Sequence, residues 1–92
     1  MRVEWNPGKA KSNFDKHGVS FSEAVTALAD DFAMTREDPD CSDEQRFITL
    51  GLSATGQMLV VVYTHREAGI LRIISAWRAN KTQRTCYEKR RR

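Results

Sequence analysis

The stretch QRFITLGLSATGQMLVVVYTHREAGILRIISAWR, residues 45–78, decides the fold. It is dense in β-branched and bulky side chains, which suit a pleated, half-buried backbone. Two short breaks divide it, Ala54-Thr55-Gly56 and Arg66-Glu67-Ala68-Gly69, each with the glycine that a tight turn uses. The pattern predicts three strands, Gln45 to Ser53, Gln57 to His65 and Ile70 to Trp77, joined as an antiparallel meander. Met58 to Tyr63 is apolar throughout, so the middle strand is expected at the centre of the sheet with both faces covered.

Upstream, the apolar period lengthens from two residues to about 3.6. Arg2-Val3-Glu4-Trp5 alternates as a short strand does, and Asn6-Pro7 supplies an N-cap followed by a proline suited to a first helical turn. Ala10, Phe14 and His17 then share one helical face, and Gly18 ends the helix. Ser20 and Glu23 have the spacing of a reciprocal capping box. Phe21, Ala24, Val25 and Leu28 form the apolar stripe of a second helix that ends near Asp30. Phe32 to Arg36 reads as a weak strand, and Glu37 to Glu44 as an acidic loop around Pro39. Beyond Trp77, Ala79, Thr82, Cys86 and Tyr87 share a face of a polar, helix-compatible segment. The order β, α, α, β, β, β, β, α predicts an α+β fold, with N-terminal helices packed on a mainly antiparallel sheet and a C-terminal helix. Its 92 residues fit a single domain, 1–92.

Composition narrows the function. No apolar run approaches the ~18 residues of a membrane span, and the opening residues have no apolar leader core, so a cytoplasmic protein without a membrane partner is expected. Cys41 and Cys86 lack the spacing of a zinc site and read as ordinary thiols, and neither a metal nor a cofactor is expected. The net charge is only +3, but it is unevenly spread. Residues 30–44 carry seven acids against Arg36, and residues 78–92 carry seven bases against Glu88. The basic end is either a phosphate attractor or a solvated tail. The acidic loop either repels a polyanion from the wrong face or docks a basic partner segment.

No nucleophile elbow, catalytic triad or phosphate-binding glycine loop is present. What remains is a set of polar residues on apolar strands: Arg46 at the start of one, Thr64, His65 and Arg66 at the end of the next, and Arg72, Ser75 and Arg78 along the third. Simple alternation sets Arg72 on one side with Ile70, Ile74, Ala76 and Arg78, and Ser75 with Leu71, Ile73 and Trp77 on the other. In a meander, Arg46 and Arg72 flank the central strand on one face, and their guanidinium forks match phosphate oxygens. Such a face suits RNA cleavage, in which a 2′-hydroxyl attacks the neighbouring phosphate and fixed cations stabilise the charge that develops. His65 is the candidate proton carrier. Each residue has a plainer reading: Arg46 paired with Glu44, Arg72 as an edge-strand charge, His65 as a surface residue, His17 as a helix-end cation. Trp5 and Trp77 read as core aromatics, and Tyr87 either packs the last helix or faces the active surface.

Several blocks resemble the BrnT family of toxins. They are Glu4-Trp5-Asn6-Pro7-Gly8-Lys9-Ala10 with Asn13, then Lys16-His17-Gly18-Val19-Ser20-Phe21 with Glu23 and Ala24. Glu44 to Ser53, Leu59 to Arg66 and Ile70 to Ala79 follow, with Tyr87-Glu88 near the end. The ordered set spans nearly the whole chain. The resemblance implies a RelE-like, microbial-ribonuclease fold and an endoribonuclease that acts as a toxin by arresting translation. It also implies neutralisation by a ribbon-helix-helix antitoxin (BrnA-like), with operator DNA bound only through the toxin–antitoxin complex. On this basis the catalytic candidates are Arg46, His65, Arg66, Arg72 and Arg78, and the RNA-binding candidates are Thr64, Ser75, Tyr87, Lys81 and Arg84. Two positions depart from the family pattern: His65, where an acid is common, and Trp77, where a small or basic residue is common. The alternative is a non-catalytic module that binds with the antitoxin in operon repression.

Overall fold

A computed structural model describes residues 2–40, 44–67 and 69–91. The expectations for Cys41, Asp43 and Arg92 lie outside the described residues. The elements are β1 (Arg2–Glu4), α1 (Pro7–His17), α2 (Phe21–Leu28), β2 (Met34–Glu37), β3 (Arg46–Leu52), β4 (Met58–Glu67), β5 (Ile70–Arg78) and α3 (Lys81–Arg91). The strands form one sheet in the order β1-β5-β4-β3-β2. The meander β3-β4-β5 is antiparallel as expected, β4 is central, and Leu59 to Thr64 are all buried. β1 adds a short parallel lane beside β5, with Val3 opposite Leu71.

Strand pairing sorts the side chains by face. Thr49 and Gly51, Leu59, Val61 and Tyr63, and Ile73 and Ala76 share the face that α2 covers with Phe21, Ala24 and Ala27. Gly51 is what lets α2 lie so close: a Cβ there would stand 2.3 Å from the Ala27 carbonyl oxygen. The opposite face carries Arg46, Ile48 and Leu50, then Val60, Val62 and Thr64, then Arg72, Ser75 and Trp77. α3 covers the Leu50–Val60 end of that face, where Thr82, Gln83 and Cys86 line a groove with both residues.

Simple alternation along β5 fails at one point. Val62 pairs with Ser75 but Tyr63 pairs with Ile73, so Ile74 is the extra residue of a bulge. Arg72 therefore shares its face with Ser75 and Trp77, and Ala76 and Arg78 join Leu71 and Ile73 on the other. A second irregularity lies opposite Arg66, between the His65–Leu71 and Glu67–Ile70 pairs.

The helix ends follow local chemistry. Asn6 accepts the Lys9 backbone N–H, Ser20 accepts that of Glu23, and Gly18 closes α1 at φ 70°. The reciprocal half of the capping box is replaced by a longer-range contact. The Glu23 carboxylate instead accepts the Ser53 and Thr55 hydroxyls, tying α2 to the β3–β4 turn. The burial expected for α1 also changes. Phe14 stays 54% exposed, and the buried residue of this helix is Asn13. The reason is position: α1 runs beside the edge of β5 rather than over a face. The Asn13 amide donates to the Ala76 carbonyl (2.8 Å) and accepts the Ala76 N–H (3.1 Å), replacing the strand that β5 lacks there. The same amide donates to Val19 O (3.0 Å) and accepts the Ser75 hydroxyl (3.2 Å).

Candidate active site

The open part of the second sheet face is built on a row of three residues. Arg46 on β3 pairs with Thr64 on β4, and Thr64 pairs with Arg72 on β5. All three side chains leave the sheet on the same side. Two strand spacings separate the arginine backbones, about 10 Å. Each guanidinium is tethered by a carboxylate, Arg46 Nε to Glu44 Oε1 and Arg72 Nη1 to Glu4 Oε2, both at 3.3 Å. Both pairs are partly exposed, and each guanidinium has donors beyond the one its carboxylate takes. Thr64 is buried and its hydroxyl donates to the Gln45 carbonyl (2.7 Å), so it holds the strand end rather than offering a free hydroxyl.

The next rows of this face bring Ser75 and Trp77 beside α1. Lys9, Ser12, Asn13, Lys16 and His17 line one groove with Ile74 and Ser75. Lys16 and His17 line a second, of about 660 Å³, with Ser75, Trp77 and Arg78. The His17 ring lies against that of Trp77, centroids 6.1 Å apart. Arg78 is anchored by Nε donation to Gln57 Oε1 (2.9 Å) and Nη1 donation to the His17 carbonyl (3.1 Å). Among the residues lining the two grooves, four are basic or imidazole side chains and none is an acid. These cation donors line β5 at the Ser75 and Trp77 rows, next to the arginine row, whose own β5-side neighbour is Glu4 of β1. The donors can hold phosphate oxygens and, through His17, move a proton.

Of the candidates read from sequence, Arg46, Thr64, Arg72 and Ser75 come together on this face, and Arg78 stands at its edge. His65 does not join them. It pairs with Leu71 on the opposite face, where its ring meets Phe47 (5.1 Å) and Tyr63 (5.8 Å) edge-on. Arg66 is exposed at the bulge that ends β4. Tyr87 is 1% exposed, and its hydroxyl donates to Asp30, which also accepts the Leu52 N–H. Its ring packs α3 onto the sheet and is not offered to a nucleobase, which corrects its placement among RNA-contacting residues. Lys81 and Arg84 are exposed on α3, with Arg84 Nη1 donating to the Ala79 carbonyl.

Lys9 and Lys16 were not among the sequence candidates, and His17 was read as a helix-end cation. A signal for the two lysines exists: Lys9, Ser12, Asn13 and Lys16 recur at i, i+3, i+4 and i+7, a polar stripe opposite the exposed Phe14. Its meaning depends on a polar stripe being the side that meets the sheet. Among the described residues, no group of three His, Cys, Asp or Glu side chains is placed to hold a metal ion, and no helix is long and apolar enough to cross a membrane.

The model of the family described as "Ribonuclease toxin, BrnT, of type II toxin-antitoxin system" matches residues 5–83. The 1.1 Å crystal structure of the Brucella abortus ribonuclease toxin BrnT shares the fold, with a TM-score of 0.66 and 22% identity. That alignment covers 88% of this chain and 99% of the Brucella chain. No curated protein matches significantly.

Proposed function

Because the chain belongs to the BrnT family of ribonuclease toxins of type II toxin–antitoxin systems, we propose that it is a metal-independent endoribonuclease working on the open face of its sheet. The observation that carries this reading is the Arg46–Thr64–Arg72 row, followed along β5 by the Ser75 row with Lys9, Lys16 and His17 beside it. A phosphate seated over Ser75 is one row from Arg72 and beside Lys16 and His17. The 2′-oxygen of the preceding ribose attacks phosphorus while the bond to the 5′-oxygen breaks. The products are a 2′,3′-cyclic phosphate end and a 5′-hydroxyl end. Arg72 and Arg46 meet the negative charge that grows on the phosphorane oxygens. His17 takes the 2′-hydroxyl proton, and the leaving oxygen takes one from solvent in the open groove. This assigns the proton-carrying role to His17 rather than His65, because His17 is the imidazole on the arginine face.

Cleavage of RNA in the cytoplasm inhibits translation, with residues 1–92 acting as a single domain. The partner is a ribbon-helix-helix antitoxin, and operator DNA is reached only through the complex with it. The ordered family blocks support this part of the reading.

The test is cleavage of purified bulk RNA by the isolated chain in EDTA, beside Arg72→Ala. Cleavage by the wild type that the variant loses supports the reading. A folded wild type that leaves RNA intact, alone and with ribosomes, overturns it in favour of a non-catalytic module acting with the antitoxin.

A further inference from the structure

We propose that Trp77 is a nucleobase-stacking platform, and that the groove it lines with Lys16, His17, Ser75 and Arg78 seats one unpaired nucleotide adjoining the scissile phosphate, its base on the indole. The inference rests on the ribonuclease reading above and adds a subsite and a strand requirement to it.

Three observations carry it. Trp77 is only half-buried and lies on the arginine face of the sheet, because the bulge at Ile74 returns Ser75 and Trp77 to the side of Arg72. Without the bulge, strand alternation would turn the indole to the other side of the sheet, among the core residues. The space beside it, about 660 Å³, is ample for a nucleotide. The walls of that space are cationic: Lys16 on α1, and Arg78 held in place by Gln57 Oε1 and the His17 carbonyl. An aromatic floor with cations at its rim is the chemistry of a single-strand binding site, where the base stacks and the phosphate is drawn to the charges.

The geometry also sets the order along the chain. Arg72, Ser75 and Trp77 occupy successive rows of one face, so Trp77 stands about 14 Å from Arg72 along β5. The phosphate over Ser75 is thus flanked by the arginines on one side and the base platform on the other. A base within a duplex hides its face in the stack, so this subsite accepts a single strand and excludes a paired one. The His17 ring, tilted by 42° against the indole, steadies the platform from the α1 side.

The experiment measures binding of a short 2′-O-methyl oligonucleotide, which cannot cleave itself, by fluorescence polarisation and by tryptophan emission. Wild type is compared with Trp77→Phe, which keeps an aromatic face, and Trp77→Leu, which keeps apolar bulk without one. Thermal melts verify that each variant is folded. We expect oligonucleotide to quench Trp77 emission. Trp77→Leu should bind roughly 5- to 150-fold more weakly, as the loss of one stacked base does. Trp77→Phe should stay near the wild type, and duplex RNA should bind worse than the single strand. Equal affinity of the wild type and Trp77→Leu, with emission unchanged at saturation, overturns the platform while leaving RNA binding intact. Absence of any binding by the wild type also overturns the subsite, and cleavage of bulk RNA by the same preparation, alone or with ribosomes, then shows that the ribonuclease reading stands without it.

Discussion

Arg46 and Arg72 lie in one row across the sheet, each paired through the backbone with Thr64, and each is held by its own carboxylate, Glu44 and Glu4. The two cations are thus brought to one face by register alone, with no contact between them needed. Their acids orient them without enclosing them. Removing either guanidinium should remove stabilisation of transition-state charge rather than fold stability. Arg72→Ala is expected to lower cleavage about 10²–10³-fold. Its cost in stability should stay below about 1 kcal/mol, since the ion pair is partly exposed. Arg72→Lys should restore little, because an ammonium cannot reproduce a two-pronged contact. Single-turnover cleavage alongside urea melts of the same variants separates the two effects.

The two histidines give opposite expectations. His17 lies on the arginine face against Trp77, and His65 lies on the other face against Phe47 and Tyr63. His17→Ala should slow cleavage about 10²–10⁴-fold, the usual worth of a positioned proton carrier. His65→Ala should leave the rate near that of the wild type. A rate profile in which His65 matters and His17 does not would move the chemistry to the opposite side of the sheet.

Asn13 is a stability residue with a functional neighbour. Its amide serves both the N–H and the C=O of Ala76 and also meets Val19 and Ser75. Asn13→Ala leaves buried backbone groups of β5 without partners, which costs about 1–3 kcal/mol for an unsatisfied group. A lowered urea midpoint with an unchanged slope is the expected signature.

Gly51→Ala should be as damaging for a different reason. The added Cβ meets the Ala27 backbone oxygen, which no side-chain rotation can relieve. The expected loss is about 3 kcal/mol, the upper end of ordinary overpacking costs. Thermal melting of the variant measures it, and a melting temperature equal to the wild type would contradict the packing of α2 on β3.

The loop after β2 gives a test of partner docking. Asp38 and Asp40 lie there, with Asp40 N donating to Asp38 Oδ1 (3.0 Å). If this segment receives a basic stretch of the antitoxin, Asp38→Lys combined with Asp40→Lys weakens the complex, most strongly at low salt. Titration calorimetry at two salt concentrations reads the difference, and an unchanged affinity at low salt would remove the loop from the interface.

Much of this molecule was legible from local chemistry. Asn6, Gly18 and Ser20 mark helix ends through contacts with residues three or four away, so their roles travel with the sequence. The unbroken apolar run of β4 required a covered central strand, and the glycine-containing breaks on either side required a meander. The strand positions of Arg46 and Arg72 were legible too, but their sharing one face rests on the register that pairs both with Thr64. The site was less legible on its β5 side. Lys16 and His17 gained their setting only when α1 lay against the strand edge through Asn13, a contact spanning 63 residues of chain.

What the sequence by itself determined was therefore the element order, the caps and the central strand, all set by residues close in the chain or by strict period. Tertiary structure alone decided the bulge at Ile74, the use of Glu23 by Ser53 and Thr55, the burial of Tyr87 against Asp30, and the separation of His65 from the arginine face. Each of these depends on which distant backbone or side chain meets the residue. A one-residue slip in pairing is enough to turn a side chain from one face of a sheet to the other.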